Sequence, residues 1–414
     1  MYNNDLSDSG VSTHEAALQL QTIAAGSLSG GIEVYGNNFN DTSYGVGLYN
    51  FSGLMISDGS VAGTHVNLTD GGSLSTVGTH TLNTTTARAL YLSNVDDSTV
   101  DSLDLSWAQN SNRTGIGLQS NSSDNLTVRN LQASTRRTGI SFSGGKDARV
   151  HNNDLSDRGA GIHEMALMLN SVGEDALVGG VEIFGNNFTT AGQGVGFSNM
   201  SDLVISNGSV AGTNVNLTDG GGLSTVGNHT LTTVSGTALA FRRNVDDSIV
   251  SGLDLSWAYR DQVGRSGTGL WVHTIGGSNP QSNNNTYEFL TITGRNDGAY
   301  LIYSPDGTVS CSTFQGNTDG IEAHSASPGL EVHNNHIEGN ATGIRWNTNS
   351  VVLNAENNYW GAADGPVTDG GSGDSYINNV DASPFLAAVP SCAPTLPAPG
   401  TPPRSFRPRR RPSR

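Results

Sequence analysis

Lysine is almost missing from this chain. Lys146 stands alone against nineteen arginines, a bias that reads as genome composition rather than mechanism. Charged residues fill only 14% of the 414 positions, too few for a helical surface laced with ion pairs. There are two cysteines, Cys311 and Cys392, and their spacing fits no zinc or redox motif. Either they pair, pinning the C-terminal end to a late part of an exported protein, or they are unrelated thiols. No run of eighteen apolar residues occurs, so no transmembrane helix is expected. No secretory leader is visible. Met1 runs straight into Tyr2-Asn3-Asn4-Asp5-Leu6, already repeat-like, so the chain is expected to begin inside a longer parent or downstream of its true start.

What is present is turn chemistry. Glycine reaches 54, and Ser, Thr, Asn and Asp are abundant, a profile of short strands joined by tight turns. The net charge is −17, yet Arg404 to Arg414 hold six arginines and no acid, leaving roughly −23 on the rest. So acidic a body is not expected to bind nucleic acid. It suits cations, or solubility in high salt.

Repetition occurs at two scales. Asn3-Asn4-Asp5-Leu6-Ser7-Asp8 recurs at Asn152 to Asp157, Asn67 to Gly72 recurs at Asn216 to Gly221, and Leu103 to Ala108 recurs at Leu253 to Ala258. Residues 3–108 are thus duplicated as 152–258, at an offset of 149 that slips to 150 after Leu92. A finer unit reads small, apolar, variable, apolar. Examples are Gly45-Val46-Gly47-Leu48, Gly139-Ile140-Ser141-Phe142, Gly320-Ile321-Glu322-Ala323 and Gly343-Ile344-Arg345-Trp346. Alternation at period two means a strand with one face inward. The outward position falls at Gln19, Gly47, Asn67, Tyr91, Gly117, Ser141, Met168, Gly196, Asn216, Ala240, Trp271, Tyr300, Glu322 and Arg345: about fourteen rungs.

A second strand follows each first one, as in Ile32-Glu33-Val34, Leu126-Thr127-Val128, Val181-Glu182-Ile183, Leu290-Thr291-Ile292, Leu330-Glu331-Val332 and Val351-Val352-Leu353. An Asn often comes just after: Asn37, Asn130, Asn153, Asn187, Asn207, Asn335, Asn358. Asn tolerates the left-handed conformation of a sharp turn and, stacked rung on rung, can form a hydrogen-bonded ladder. Two strands and a short third close one coil, whose neighbours bury its apolar face. The expected fold is all-β: a single right-handed parallel β-helix over residues 1–390, followed by a Pro/Arg-rich disordered tail over 391–414. A β-propeller needs longer four-stranded units, and no leucine-rich signature is present.

The strand pattern, the Asn-rich turns and the closing Asn357-Asn358-Tyr359-Trp360-Gly361 with its nearby Gly365-Pro366 resemble the right-handed parallel β-helix repeat proteins of the pectate-lyase-like superfamily. The resemblance covers residues 3–390. It implies the fold and only a range of functions: polysaccharide lyases, glycoside hydrolases, uronan epimerases, NosD-type periplasmic copper-binding proteins, and surface proteins without activity. In the enzymes of this superfamily the active site lies on the outward face of the first strand.

On that face the occupants from Gln19 to Ala240 are small or bland, and the last four are Trp271, Tyr300, Glu322 and Arg345. Two residues further on come His273, Ile302, His324 and Asn347. Asp297, Asp319 and Thr342 stand at the turn before the strand. Neighbouring rungs stack such side chains about 5 Å apart. Aromatic rings stack on sugars, Arg pairs with uronate carboxylates, and Glu and His perform acid–base work. Trp271, His273, Tyr300, Asp297 and Asn347 are the expected ligand-binding residues. Glu322, His324, Arg345 and Asp319 are the candidates if the groove is catalytic.

Other motifs weigh less. Asn317-Thr318-Asp319-Gly320-Ile321 superficially resembles one polygalacturonase element, but the paired-aspartate, Gly-His-Gly and Arg-Ile-Lys elements are absent, as is the alginate-epimerase motif. Asp96-Asp97 and its copy Asp246-Asp247 read as turn chemistry. His14-Glu15 and His163-Glu164 lack the second histidine of a zinc helix, and His333 and His336 read as surface residues. No metal site is assigned and no cofactor is expected, weak calcium binding aside. The arginine tail could touch an anionic surface.

The expected function is that of a secreted or cell-surface, non-catalytic β-helix that binds carbohydrate or serves as a rigid stalk. It would be a monomer or part of a larger surface protein, with a glycan as partner and no membrane insertion. The alternatives are a polysaccharide lyase, glycoside hydrolase or epimerase acting on an acidic polysaccharide in the late groove, and a periplasmic metal-handling accessory protein.

Overall fold

The computed structural model describes residues 281–348 and 350–396, together with 88–106, 115–133, 137–155, 237–241, 245–257 and 267–273, and elsewhere single residues and strand segments. Arg404 to Arg414, His14-Glu15 and His163-Glu164 lie outside the described residues.

Every strand pairs in parallel with its counterpart one coil away. A sixteen-stranded sheet runs from Leu18–Gln21 to Tyr376–Ile377, and a fifteen-stranded sheet from Ile32–Tyr35 to Val380–Asp381. A third, shorter sheet comes in two pieces. One pairs His80–Thr81 with Leu103–Asp104, and the other runs from His229–Thr230 to His336–Glu338. The chain is a right-handed parallel β-helix, nearly all β.

The interior is built from like residues stacked in register. In the first sheet Leu90, Leu118, Ile140 and Leu167 face one another, and later Leu270, Ala299, Ile321 and Ile344. The second sheet stacks Val250, Tyr287, Val309 and Val332, and the third Ile292, Phe314 and Ile337. All are buried, each large aliphatic contributing about 1.5–3 kcal/mol.

The small residue that opens each first strand has a steric cause. A Cβ at Gly117 would lie 2.5 Å from the carbonyl oxygen of Gly139, at Gly298 2.3 Å from that of Gly320, and at Gly320 2.5 Å from that of Gly343. In these three coils the corner approaches its neighbour so closely that only glycine fits without movement.

Register places thirteen of these positions in one row and corrects one. Tyr91 faces Gln119, which faces Ser141, so Gln119 and not Gly117 occupies that row. The inward place after Gln119 is the buried Ser120, a polar residue where the pattern has an apolar one, and this shifts the apparent frame by two. The row also continues past Arg345 to Ile377. Two second-strand assignments change as well. Leu290-Thr291-Ile292 belongs to the third sheet, while Thr286–Glu288 serves the second; Val351 and Val352 are exposed, and Leu353–Asn354 is the strand.

The asparagines divide their labour. Asn152, Asn334 and Asn357 take positive φ and turn the corner. The residue after each, Asn153, Asn335 and Asn358, is buried and forms the ladder. Asn335 Oδ1 accepts the Ser312 amide at 3.0 Å, and Asn358 Oδ1 accepts the Asn335 amide at 2.9 Å. Asn186, beside the expected Asn187, continues the ladder from Asn153. Asn37, Asn187 and Asn207 lie outside the described residues, and Asn130 is a corner residue with φ 54°. The Asp pairs are corner residues too. Asp97 and Asp247 have positive φ and accept from the side-chain Nδ2 of Asn125 and Asn284, each at 2.8 Å.

The C-terminal segment closes over the last coils. Trp360 is fully buried, and Gly361 turns with φ 86°. Cys392 forms a disulfide with Cys311, and Thr313 donates to the Pro394 carbonyl at 2.7 Å. The two cysteines therefore pair, and the chain is held to the solenoid through Pro394. His333 and His336 stand on different sheets, and His336 lies 2.6 Å from the Glu338 carboxylate.

Candidate functional site

Four consecutive strands carry the late groove: Thr268–Val272, Asp297–Leu301, Asp319–Ala323 and Thr342–Trp346. Their register aligns Trp271, Tyr300, Glu322 and Arg345 in one row. Thr268, Asp297, Asp319 and Thr342 form a second row at the corner where the strands begin. His273, Ile302, His324 and Asn347 follow at the strand ends, each amide bonded to the preceding coil. Ile302 is buried and takes no part.

One end of the groove is an aromatic wall. The Trp271 and His273 rings stack at 5.0 Å and 13°, and Tyr300 lies 6.2 Å from His273. Tyr303 meets His273 edge-on at 6.3 Å, and His324 meets Tyr300 at 5.5 Å. The rings pack against one another along the solenoid and are half-buried.

The wall runs into a cluster of carboxylates. Asp297, Asp319 and Glu322 each place an oxygen within 4.8 Å of the other two. Arg345 grips Asp319 with two hydrogen bonds, Nε to Oδ2 at 3.0 Å and Nη2 to Oδ1 at 2.9 Å. Asn347 donates to Glu322 Oε1 at 2.5 Å, and His324 Nε2 stands 3.3 Å from the same atom. Asn347 and His324 are themselves 3.0 Å apart. Asp297 is held by Thr268 at 3.3 Å and Asn296 at 3.1 Å. The separations among the three acids fit a divalent cation, but both Asp319 oxygens are already engaged by the guanidinium, which supplies the counter-charge.

Burial raises the Asp297 carboxyl above the ordinary aspartate range, and the nearby Glu322 and Asp319 charges push the same way. Burial likewise raises the Tyr300 phenol, with Glu322 and Asp297 adding to it. The hydrogen bonds to Asp319 hold the Arg345 guanidinium still more firmly in its charged form. For Asp297 the native state binds its proton more tightly than the unfolded chain does. Stability therefore falls as pH rises from the unperturbed value of 3.8 through the raised native one. Asp297→Asn is expected to abolish this fall, so its denaturation midpoint matches the parent at low pH and exceeds it at neutral pH. Parallel pH profiles for the two proteins would contradict the assignment.

All nine candidate residues thus fall into one connected patch. Thr268, Asn296 and Tyr303 join the patch without being marked by the strand pattern. Thr268 is the register partner of Asp297 and could have been found by extending the corner row one rung back. Tyr303 lies beyond its strand, at a positive φ of 63° that no pattern signals. On the early face, Tyr91 is less bland than its neighbours, with Arg88 4.5 Å over its ring and Asn121 bonded to its hydroxyl at 3.0 Å.

No protein-family model matches this chain, and no curated protein matches it in sequence. Solved structures align with the chain at low identity. The Dettilon tailspike protein aligns over 73% of this chain with TM-score 0.46 and 12% identity; the chain spans 62% of that protein's length. DFA-IIIase from Arthrobacter chlorophenolicus A6, in complex with GF2, aligns over 90% of this chain and 89% of its own, with TM-score 0.45 and 12% identity. An alginate lyase from Paenibacillus sp. str. FPU-7 aligns over 86% and 94%, with TM-score 0.36 and 12% identity.

Proposed function

We propose that this chain is an extracellular or surface-exposed rod that binds a glycan along the outward groove of its late rungs. The observation that carries this reading is the aromatic wall of Trp271, His273 and Tyr300 opening onto polar side chains within four consecutive strands. Aromatic faces cover the apolar faces of sugar rings, and Glu322, His324 and Asn347 offer acceptors and donors to hydroxyls. The Cys311–Cys392 disulfide supports an oxidising compartment. A Trp271→Ala, Tyr300→Ala double variant is expected to lose affinity for glycans bound by the parent. The loss should be about 2.8 kcal/mol, a hundredfold in Kd, with an unchanged circular dichroism spectrum. Equal affinity of variant and parent would refute the groove as the binding site.

One observation favours a second reading, cleavage of the bound glycan. Asp297 carries a raised carboxyl and lies within 4.8 Å of Glu322, oxygen to oxygen. A carboxyl that holds its proton more tightly than usual, beside a second carboxylate, is the kind of pairing used in glycoside hydrolysis, where carboxyls about 5–5.5 Å apart act as general acid and nucleophile. Release of reducing ends by the parent, abolished in Asp297→Asn and in Glu322→Gln while binding persists, would establish it. A parent that binds but releases nothing would leave the groove a binding site alone.

A further inference from the structure

The groove's charge selects its ligand. Arg345 carries the obvious cation for an acidic sugar, and from the sequence its expected partner is a uronate. In the structure that role is taken: Nε and Nη2 both bond to Asp319, and Nη2 stands 3.5 Å from the Thr342 hydroxyl. Arg345 contributes the only guanidinium or ammonium among the described residues of the four groove strands. Against it stand three carboxylates within 4.8 Å of one another. When all are ionised, two negative charges remain in excess. A uronate carboxylate placed over Tyr300 or Glu322 would approach Asp297 and Glu322 with no second guanidinium or ammonium among the described residues of the four strands to meet it. Like charges at such distances near a protein surface lower affinity by tenfold or more. Freeing Arg345 to bind a uronate would leave the mostly buried Asp319 without its counter-charge, so the exchange brings no gain. The rest of the molecule adds to the repulsion, because the chain is −17 overall with its six tail arginines counted in.

An uncharged sugar meets none of these penalties. Its hydroxyls donate to carboxylate oxygens and accept from Asn347, and its ring faces lie on the aromatic wall. We infer that the groove takes an uncharged glycan and turns uronate-bearing chains away. The inference rests on the glycan-binding reading above and narrows it to a substrate class.

The test uses the full chain and matched oligosaccharide pairs of the same linkage, one member a neutral hexan and the other its C6-oxidised uronan: galactan with galacturonan, glucan with glucuronan, mannan with mannuronan. Affinities are measured by titration calorimetry at low and high salt, with chelator and then with calcium. The expected result is binding of at least one neutral member, with its uronan counterpart at least tenfold weaker in chelator. That gap should narrow at high salt, where screening weakens the repulsion. It should narrow again in an Asp297→Asn, Glu322→Gln variant. A uronan that binds tighter than its neutral partner in chelator would overturn the charge preference while leaving glycan binding intact. A uronan that binds tighter only with calcium would overturn it too, by showing that the carboxylates act through a cation. If no member of any pair binds, the glycan-binding reading falls, and this inference with it.

Discussion

Replacing Cys311 and Cys392 by alanine is expected to destabilise the C-terminal rungs by about 4.5 kcal/mol, the chain-entropy value for the sequence separation of 81 that the disulfide closes. The bond ties the closing segment to the third-sheet corner, where Thr313 also holds the Pro394 carbonyl. Each rung of a solenoid contacts only its neighbours, so the loss should be local. Hydrogen exchange is the suitable measurement. Protection should drop for amides between residues 311 and 392 and stay unchanged near residues 88–155. Uniform loss along the rod, or none, would contradict this account.

Asn335→Leu is expected to cost about 3–5 kcal/mol, because it strands several buried polar groups at once. The Asn335 side-chain Nδ2 donates to the carbonyls of Val309 at 2.9 Å and His333 at 3.0 Å and to Asn358 Oδ1 at 3.0 Å, while its Oδ1 accepts the Ser312 backbone N–H at 3.0 Å. The neighbouring Asn334→Gly should cost only a few tenths of a kcal/mol, since that residue serves by its positive φ, which glycine adopts freely. Chemical denaturation of the two variants separates the roles. Equal losses would mean that the corner and the ladder are not divided between adjacent asparagines.

Much of this architecture is legible because a solenoid writes its register into local sequence. The small-apolar-variable-apolar unit repeats wherever an inward residue must stack on the one below, so Trp271, Tyr300, Glu322 and Arg345 align by counting alone. Legibility fails where a rung breaks its own rule. At Gln119 the inward Ser120 hides the frame. At residues 286–292 two β-prone runs lie almost adjacent, and only pairing assigns Tyr287 to the second sheet and Ile292 to the third. In the candidate site the rows are legible, but the partners across them are not. That Arg345 reaches Asp319 depends on how the corner turns between rungs. The convergence of Asp297 and Asp319 with Glu322 joins two corner residues to one strand residue, which neither period reveals.

The claim that matters most is that the late groove is where this rod meets its ligand. A crystal structure of the protein with a bound oligosaccharide tests it directly. The account predicts sugar rings lying against Trp271 and Tyr300, with hydroxyls on Glu322 and Asn347 and with Arg345 still bonded to Asp319. Sugar bound on the second or third sheet, or on the early rungs with this groove empty, would contradict it.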